Sequence, residues 1–290
     1  MIESLIAPFE YEFMQNALAV AVISAAVCGV LSSWLVLMGW SLMGEAVAHS
    51  VLPGVVFAFI LGVPLGAGAF AFGLLAVALI AGLGRTTAMK RDTTIGVVFT
   101  SLFALGLVLI SVTPSQTHLT HILFGNVLGT SRADLYYVAA LAAVTLLVLL
   151  LKRRDFTLLA FDRTYATAIG LRTSVLTGVL LVLLALTTVT ALQTLGVILV
   201  VAMLVIPGAT GFLLARSFGV MLLLSAAVGA VAAIVGVYSS YWWDVSPGGA
   251  IVLAASLQFL LVYLCSPRRG LVAQLLRRRR LSAPQPTPVG

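Results

Sequence analysis

Charge is what this sequence has least of. Only 9% of its 290 residues are charged, against 61% that are hydrophobic. A soluble domain usually carries about 25% charge, so a water-facing surface cannot be built from this inventory. Lysine is nearly absent: Lys90 and Lys152 are the only two, and neither follows a glycine. No G-x-x-x-x-G-K-[ST] stretch exists, so the chain has no phosphate loop and does not hydrolyse ATP by that route. Cysteine is as sparse. Cys28 and Cys265 lie in apolar runs without a CxxC partner; they read as small apolar fillers and say nothing of redox compartment. Glu45 to His49 reads ExxxH and lacks the first histidine of a zinc-protease HExxH motif, and no Ser/His/Asp triad can be assembled. Met1 to Gln15 carries Glu3, Glu10 and Glu12 and no basic start, unlike a secretory signal peptide.

What is present is a series of apolar runs, most of about 18 residues or more, long enough to cross hydrocarbon as helices. Helices satisfy their own backbone hydrogen bonds, which lipid demands. Nine spans are expected, at roughly 16–39, 43–62, 65–84, 94–112, 134–151, 174–191, 195–215, 218–239 and 248–266. Pro64 and Gly66 mark a tight turn, Pro114 opens a longer loop, and Ser246-Pro247-Gly248-Gly249 marks another turn. Alternation of nine spans puts 15 of the 16 basic residues on one side, with only Arg132 opposite. The positive-inside rule makes that side cytoplasmic and the acidic N-terminus external. The net charge of +7 therefore follows topology and is no sign of nucleic acid. An eight-span count would flip part of this. The tail Ser282 to Gly290, with Pro284, Pro286 and Pro288, is expected to be disordered.

Few residues offer chemistry inside the spans. Eight of the nine acids lie in loops, near span ends or in the N-terminal segment; Glu45 is the candidate within a span. An ionisable group there is costly and usually functional. His49 follows one helical turn later on the same face. A carboxylate with an imidazole suits Mn²⁺, Fe²⁺ or Zn²⁺. Pro53 and Gly54 are expected to break the helix beside the pair, and freed carbonyls in such breaks often line ion paths. The competing reading is that Glu45 caps a helix start, where the dipole favours an anion, and that His49 is a packed polar residue. His118 and His121, spaced i, i+3 at the outer face, could collect metal at the entrance or be two wet interfacial histidines. Asp134 and Asp244, also outer, could form a vestibule or serve structure alone. Between the fifth and sixth spans, Ala160, Tyr165, Ala168 and Leu171 make a small amphipathic helix with Gly170 near its end, either a connector or a plug for a groove on another protein.

Several stretches together carry a family likeness. They are SLMGEAVAHSVLPGV at 41–55, RDTTIGVVFTSLFALGLVL at 91–109, HILFGNVLG at 121–129, FDRTYATAIGL at 161–171, QTLGVILVVAMLVIPGATGFLL at 193–214 and DVSPGGAIVL at 244–253. From about Phe13 to Leu264 the chain resembles the integral membrane permeases of bacterial ABC transporters for manganese, zinc and iron. The resemblance implies an all-α membrane protein: a polytopic bundle of eight or nine transmembrane helices, of the type II ABC importer kind. Residues 1–270 would form the permease and 271–290 a basic, proline-rich cytoplasmic tail. It further implies a dimer with a second copy or a close paralogue, two cytoplasmic ATP-binding subunits, and an extracytoplasmic metal-binding protein. The setting would be the bacterial inner membrane, multi-pass, with lipid around the chain and the C-terminus in the cytoplasm. No permanently bound cofactor and no enzymatic site is implied; the cargo would be a divalent metal, Mn²⁺ first, with Fe²⁺ or Zn²⁺ behind it. Glu45 and His49 match positions linked to the metal path, and 155–173 matches the segment that couples to the ATPase, through Phe161, Asp162, Tyr165, Ala168 and Gly170. The family usually has Asp where this chain has Glu45. Leu52-Pro53-Gly54 looks more like the manganese and iron branch than the zinc branch.

Two other classes compete. A stand-alone proton-coupled secondary metal transporter would show several buried acids across different spans. An intramembrane enzyme would need a catalytic pair on separate helices. The sequence offers essentially one buried acid, Glu45.

Overall fold

The structure is a computed structural model that describes residues 10–86, 90–113, 127–266 and 270. Among the described residues it is helical throughout, with no strand. The helices are α1 (Glu12–Leu37), α2 (Ser41–Ser50), α3 (Leu52–Leu61), α4 (Leu65–Thr86), α5 (Arg91–Val112), α6 (Arg132–Leu151), α7 (Arg153–Phe161), α8 (Arg163–Ala168), α9 (Thr173–Leu195), α10 (Val197–Leu214), α11 (Phe218–Trp243) and α12 (Pro247–Cys265). With α2 and α3 taken as one interrupted span, nine helices among the described residues are long and apolar enough to cross a membrane. They coincide with the nine expected spans to within a few residues. The all-α, nine-span reading therefore holds. The first tight turn falls slightly earlier than expected: the left-handed residue is Gly62 rather than Gly66.

The core is built around α1, which packs on α6, α10 and α11. In its most apolar window 72% of residues are buried, against 11% for the peripheral α12. Lipid is as apolar as leucine, so helix association in a membrane leans on close approach and on interhelical hydrogen bonds. The small residues of α1 supply both. Ser33 Oγ donates to Ser225 Oγ of α11 at 3.0 Å. Pro207 sits inside α10, where it lacks the N–H for an i−4 bond. Ser32 repairs the local network: the Gly208 N–H donates to Ser32 Oγ at 3.1 Å, and Ser32 Oγ donates to the Val205 carbonyl at 3.4 Å. A proline that would break a water-soluble helix is thereby tolerated. At one end of the bundle the buried Trp34 ring meets Phe156 of α7 and Phe218 of α11 edge-on, at 6.2 and 5.2 Å. This ties the segment between α6 and α9 to the core. By contrast α4, α5, α6 and α12 turn leucine and valine outward, as lipid-facing helices do.

Candidate functional site

Helix α1 ends in a left-handed turn at Gly39, where the Trp40 N–H reaches back to the Leu35 carbonyl at 2.6 Å and the Gly39 N–H to Val36 at 3.2 Å. That turn launches α2 against α5 and α10. Glu45 is the fifth residue of α2, and no acid lies in its first turn. The helix dipole acts mainly within that first turn, so Glu45 is no N-terminal cap. His49 stands one turn on, within electrostatic reach of Glu45. Both side chains are half-buried. Each neighbour of α2 constrains them. The His49 ring lies against Phe99 and Phe103 of α5, with centroids 5.2 Å away in both cases. Its Nδ1 is buried without a hydrogen-bond partner. A buried imidazole nitrogen calls for a partner: a donor or a cation where it is bare, an acceptor where it carries the proton.

The helix interruption falls at Val51, two residues before the expected Pro53, which becomes the second residue of α3. Proline has no N–H for the carbonyl four residues back, which is that of His49; the Val51 N–H turns to it instead. Gly54 then faces Gly68 of α4 so closely that a methyl on either would meet the other's backbone. The pair, the interruption and the close crossing thus lie within ten residues of chain. Among the described residues, no group of three or more His, Cys, Asp and Glu comes together, so the pair alone is not a closed metal cage. His118 and His121 lie outside the described residues.

Asp134 and Asp244 have structural duties. Asp134 and Ser131 form a reciprocal capping box at the start of α6, and Asp244 is the left-handed cap that ends α11. Arg132 pairs with Glu12 at 2.6 Å, which puts the starts of α1 and α6 at the same end of the bundle.

The segment 155–173 departs from expectation. It is two helices, α7 and α8, broken at Asp162, whose extended backbone lets its Oδ1 accept from the Tyr165 N–H at 2.9 Å. Ala160 therefore belongs to a different helix from Tyr165 and Ala168. An aspartate that offers its own cap bond competes with helix continuation. Helix α8 closes on Gly170, with φ +88°; bonds run from Gly170 N–H to Thr167 and from Leu171 N–H to Ala166, at 3.0 and 3.1 Å. That is a Schellman end, where glycine takes the left-handed position at no steric cost. Ala166 is buried, while Phe161, Tyr165 and Ile169 are more than half exposed. The outcome is a short helix pinned by its small residue, with Tyr165 outward and Phe161, at the end of α7, exposed beside it. Sequence reasoning had not singled out Phe99, Phe103 or Ile169. The i, i+4 spacing of the two phenylalanines was the available signal.

Known proteins resemble this chain in sequence and fold. A family profile described as the ABC 3 transport family matches residues 10–266. The manganese transport system membrane protein MntB of Synechocystis sp. is 46% identical over 97% of this chain and 92% of its own length. The chelated iron transport system membrane protein YfeD of Yersinia pestis is 48% identical over 90% of this chain and 88% of its own. Among solved structures, PsaBC from Streptococcus pneumoniae in complex with Fab superposes with a TM-score of 0.86 at 38% identity, covering 96% of this chain and all of that one. The structural likeness and the extent of the profile agree, and this chain belongs to the ABC 3 transport family of membrane permeases.

Proposed function

We propose that the chain is the transmembrane permease of an ATP-driven importer for a divalent transition metal, manganese first, with iron or zinc behind it. The observation that carries the metal path is the Glu45–His49 pair: half-buried, beside a helix interruption, with the His49 Nδ1 unpartnered. Relatives named for manganese and for iron support the cargo class. A charged side chain costs about 2.5–3.5 kcal/mol at the centre of a bilayer span and less toward its ends. A half-open carboxylate on α2 therefore needs cover, and a second permease copy or a close paralogue laid against this face supplies it. Two such pairs, or one pair with carbonyls near Val51, complete a modest ligand set from which an ion can leave.

Energy comes from elsewhere. The ATP-binding subunits dock on α7 and α8, with Phe161, Tyr165, Ala168 and Ile169 outward, and with Asp162 and Gly170 fixing where α8 begins and ends. An extracytoplasmic metal-binding protein delivers the ion at the opposite face. The C-terminus is cytoplasmic, and residues 271–290 form a basic tail beyond the permease. Manganese uptake into cells at matched expression tests the path. Glu45→Gln keeps the shape and removes the charge, and should cut uptake at least tenfold with insertion intact; His49→Ala should act likewise. Normal uptake by Glu45→Gln would move the path elsewhere.

A further inference from the structure

Away from Glu45 and His49, at the end of the bundle that carries the basic residues, the turn before α2 forms the wall of a separate cavity. Its volume is about 180 Å³, and it is lined by Trp40, Arg91, Thr94, Arg163, Thr177 and the apolar side of α4. A neighbouring space of about 150 Å³ shares Trp40, Arg91, Arg163 and Thr177 with it. A single water needs roughly 10–15 Å³ on the same measure, so a polyatomic guest fits.

The polar lining is dominated by donors. Arg91 lies over the Trp40 ring, its Cζ 4.9 Å from the centroid. Arg91 is close enough to Arg163 to be repelled by it, and feels a weaker attraction from its neighbour Asp92. Among the described residues neither has an ion-pair partner; the ion pairs there are Arg132–Glu12 and Lys152–Asp155. Asp162, beside Arg163, is engaged in capping α8, and Asp92, beside Arg91, is exposed. Trp40 is only 5% exposed, and its indole Nε1 is buried without an acceptor. An indole N–H can only donate, and a guanidinium carries five donors and no acceptor. A buried donor without an acceptor is a cost that a native site rarely leaves standing. The Trp40 N–H is the buried orphaned donor here; the Thr94 hydroxyl already donates to the Lys90 carbonyl at 3.5 Å. The two guanidiniums, exposed and without an ion-pair partner among the described residues, line the same cavity, a set that suits an acceptor with several oxygens and negative charge.

We propose that this cavity binds a phosphate-bearing anion, held by Arg91 and Arg163 with the Trp40 N–H as third donor. Arginine pairs with phosphate through parallel N–H bonds. Basic pockets between transmembrane helices on the cytoplasmic side are places where acidic lipid head groups settle; free phosphate presents the same oxygens. Arg163 is the first residue of α8 and Arg91 the first of α5, so the anion ties the outward-facing helix α8 to the span that packs on His49.

The test uses the full chain in phosphatidylcholine nanodiscs. Its unfolding midpoint is followed as inorganic phosphate is titrated against chloride at matched ionic strength, and in parallel discs that contain phosphatidylglycerol. Saturating ligand should raise the midpoint by roughly 2–6 °C. A rise with phosphate assigns the free anion; a rise with phosphatidylglycerol alone assigns the head group. Arg163→Gln and Arg91→Gln should each abolish the rise, and Trp40→Phe, which keeps an aromatic ring without the N–H, should weaken the apparent affinity several-fold. Arg163 is exposed, so its variant folds even if loss of the Arg91–Trp40 stacking harms the other. The proposal is overturned if neither ligand shifts the midpoint, or if the shift survives Arg163→Gln. It is equally overturned if neither ligand acts and Arg163→Gln instead releases the ATPase subunits, since the occupant would then be a carboxylate of that partner.

Discussion

Replacing Gly54 with alanine should destabilise the protein, although alanine is the better helix former. The added methyl would sit 2.7 Å from the carbonyl carbon of Gly68 and 2.8 Å from Cβ of Phe72, and it would also press on the Gly68 carbonyl oxygen. Ordinary contact begins near 3.4 Å. The opposing atoms are mainly backbone, so no side chain can swing away; α3 and α4 must separate by more than half an ångström. Overpacking of this kind costs about 1–3 kcal/mol. The helix propensity gained over glycine returns about 0.5–1 kcal/mol, so the steric term wins. The net loss should lower the unfolding midpoint by roughly 2–6 °C, read in detergent or nanodiscs. Manganese uptake should fall as well, because α3 continues from the helix that carries Glu45 and His49. Gly82→Ala is the internal control. It lies on α4 with nothing within 4 Å of the added methyl, so it should be neutral or slightly stabilising. A Gly54→Ala protein that melts at or above the parent's midpoint, and transports normally, would refute the close crossing of α3 and α4.

Ala168→Arg should abolish metal-stimulated ATPase activity of the assembled complex while metal binding by the permease persists. Ala168 ends α8 on the exposed side, and an unpaired charge buried in a packed contact costs several kcal/mol; normal coupling in that variant would remove α8 as the docking site. Glu45→Asp should be mild in the uptake assay, because the carboxylate stays and only one methylene is lost; a loss as deep as that of Glu45→Gln would mean that reach, and not charge alone, sets the site. Cysteines placed near Lys152 and after Arg268 should react with membrane-impermeant reagent only from the cytoplasm, and those near His118 and Ser246 only from outside. The exposed Cys265 must first be removed, whereas the buried Cys28 can stay. Labelling of position 118 from the cytoplasm would reverse the central spans.

The spans were legible because lipid imposes a rule that needs no tertiary knowledge: roughly 20 apolar residues, helical, with their charges outside. The loops at Pro64 and at Ser246–Pro247 showed themselves by residues that change backbone geometry locally, though the left-handed Gly62 was not singled out. The segment between α6 and α9 was read less well for a related reason. Periodicity over 160–171 fits one amphipathic helix, but Asp162 can satisfy the Tyr165 N–H itself and so ends one helix as it starts the next. The choice between a mid-helix aspartate and a cap depends on whether Phe156 and Leu159 have somewhere to bury. That somewhere is Trp34 and its surroundings, more than a hundred residues earlier in the chain.

The same limit governed the site. Glu45 and His49 could be paired from spacing alone, since one helical turn fixes their common face. What surrounds them could not. Phe99 and Phe103 reach His49 only because α5 packs on α2, and a phenylalanine pair in an apolar span looks, on sequence, like any lipid-facing pair. The dismissal of Glu45 as a helix cap likewise needed the helix start, which the sequence left several residues uncertain. Trp40 was silent altogether: an aromatic at a span boundary is ordinary interface material, and only burial of its N–H without an acceptor distinguishes it. Spacing therefore identifies groups that share one helix, and packing identifies those brought from separate helices. Glu45 and His49 belong to the first kind, while the arginines of α5 and α8 belong to the second. Variants at Glu45 can be designed from sequence, but the case for Arg163 rests on the fold.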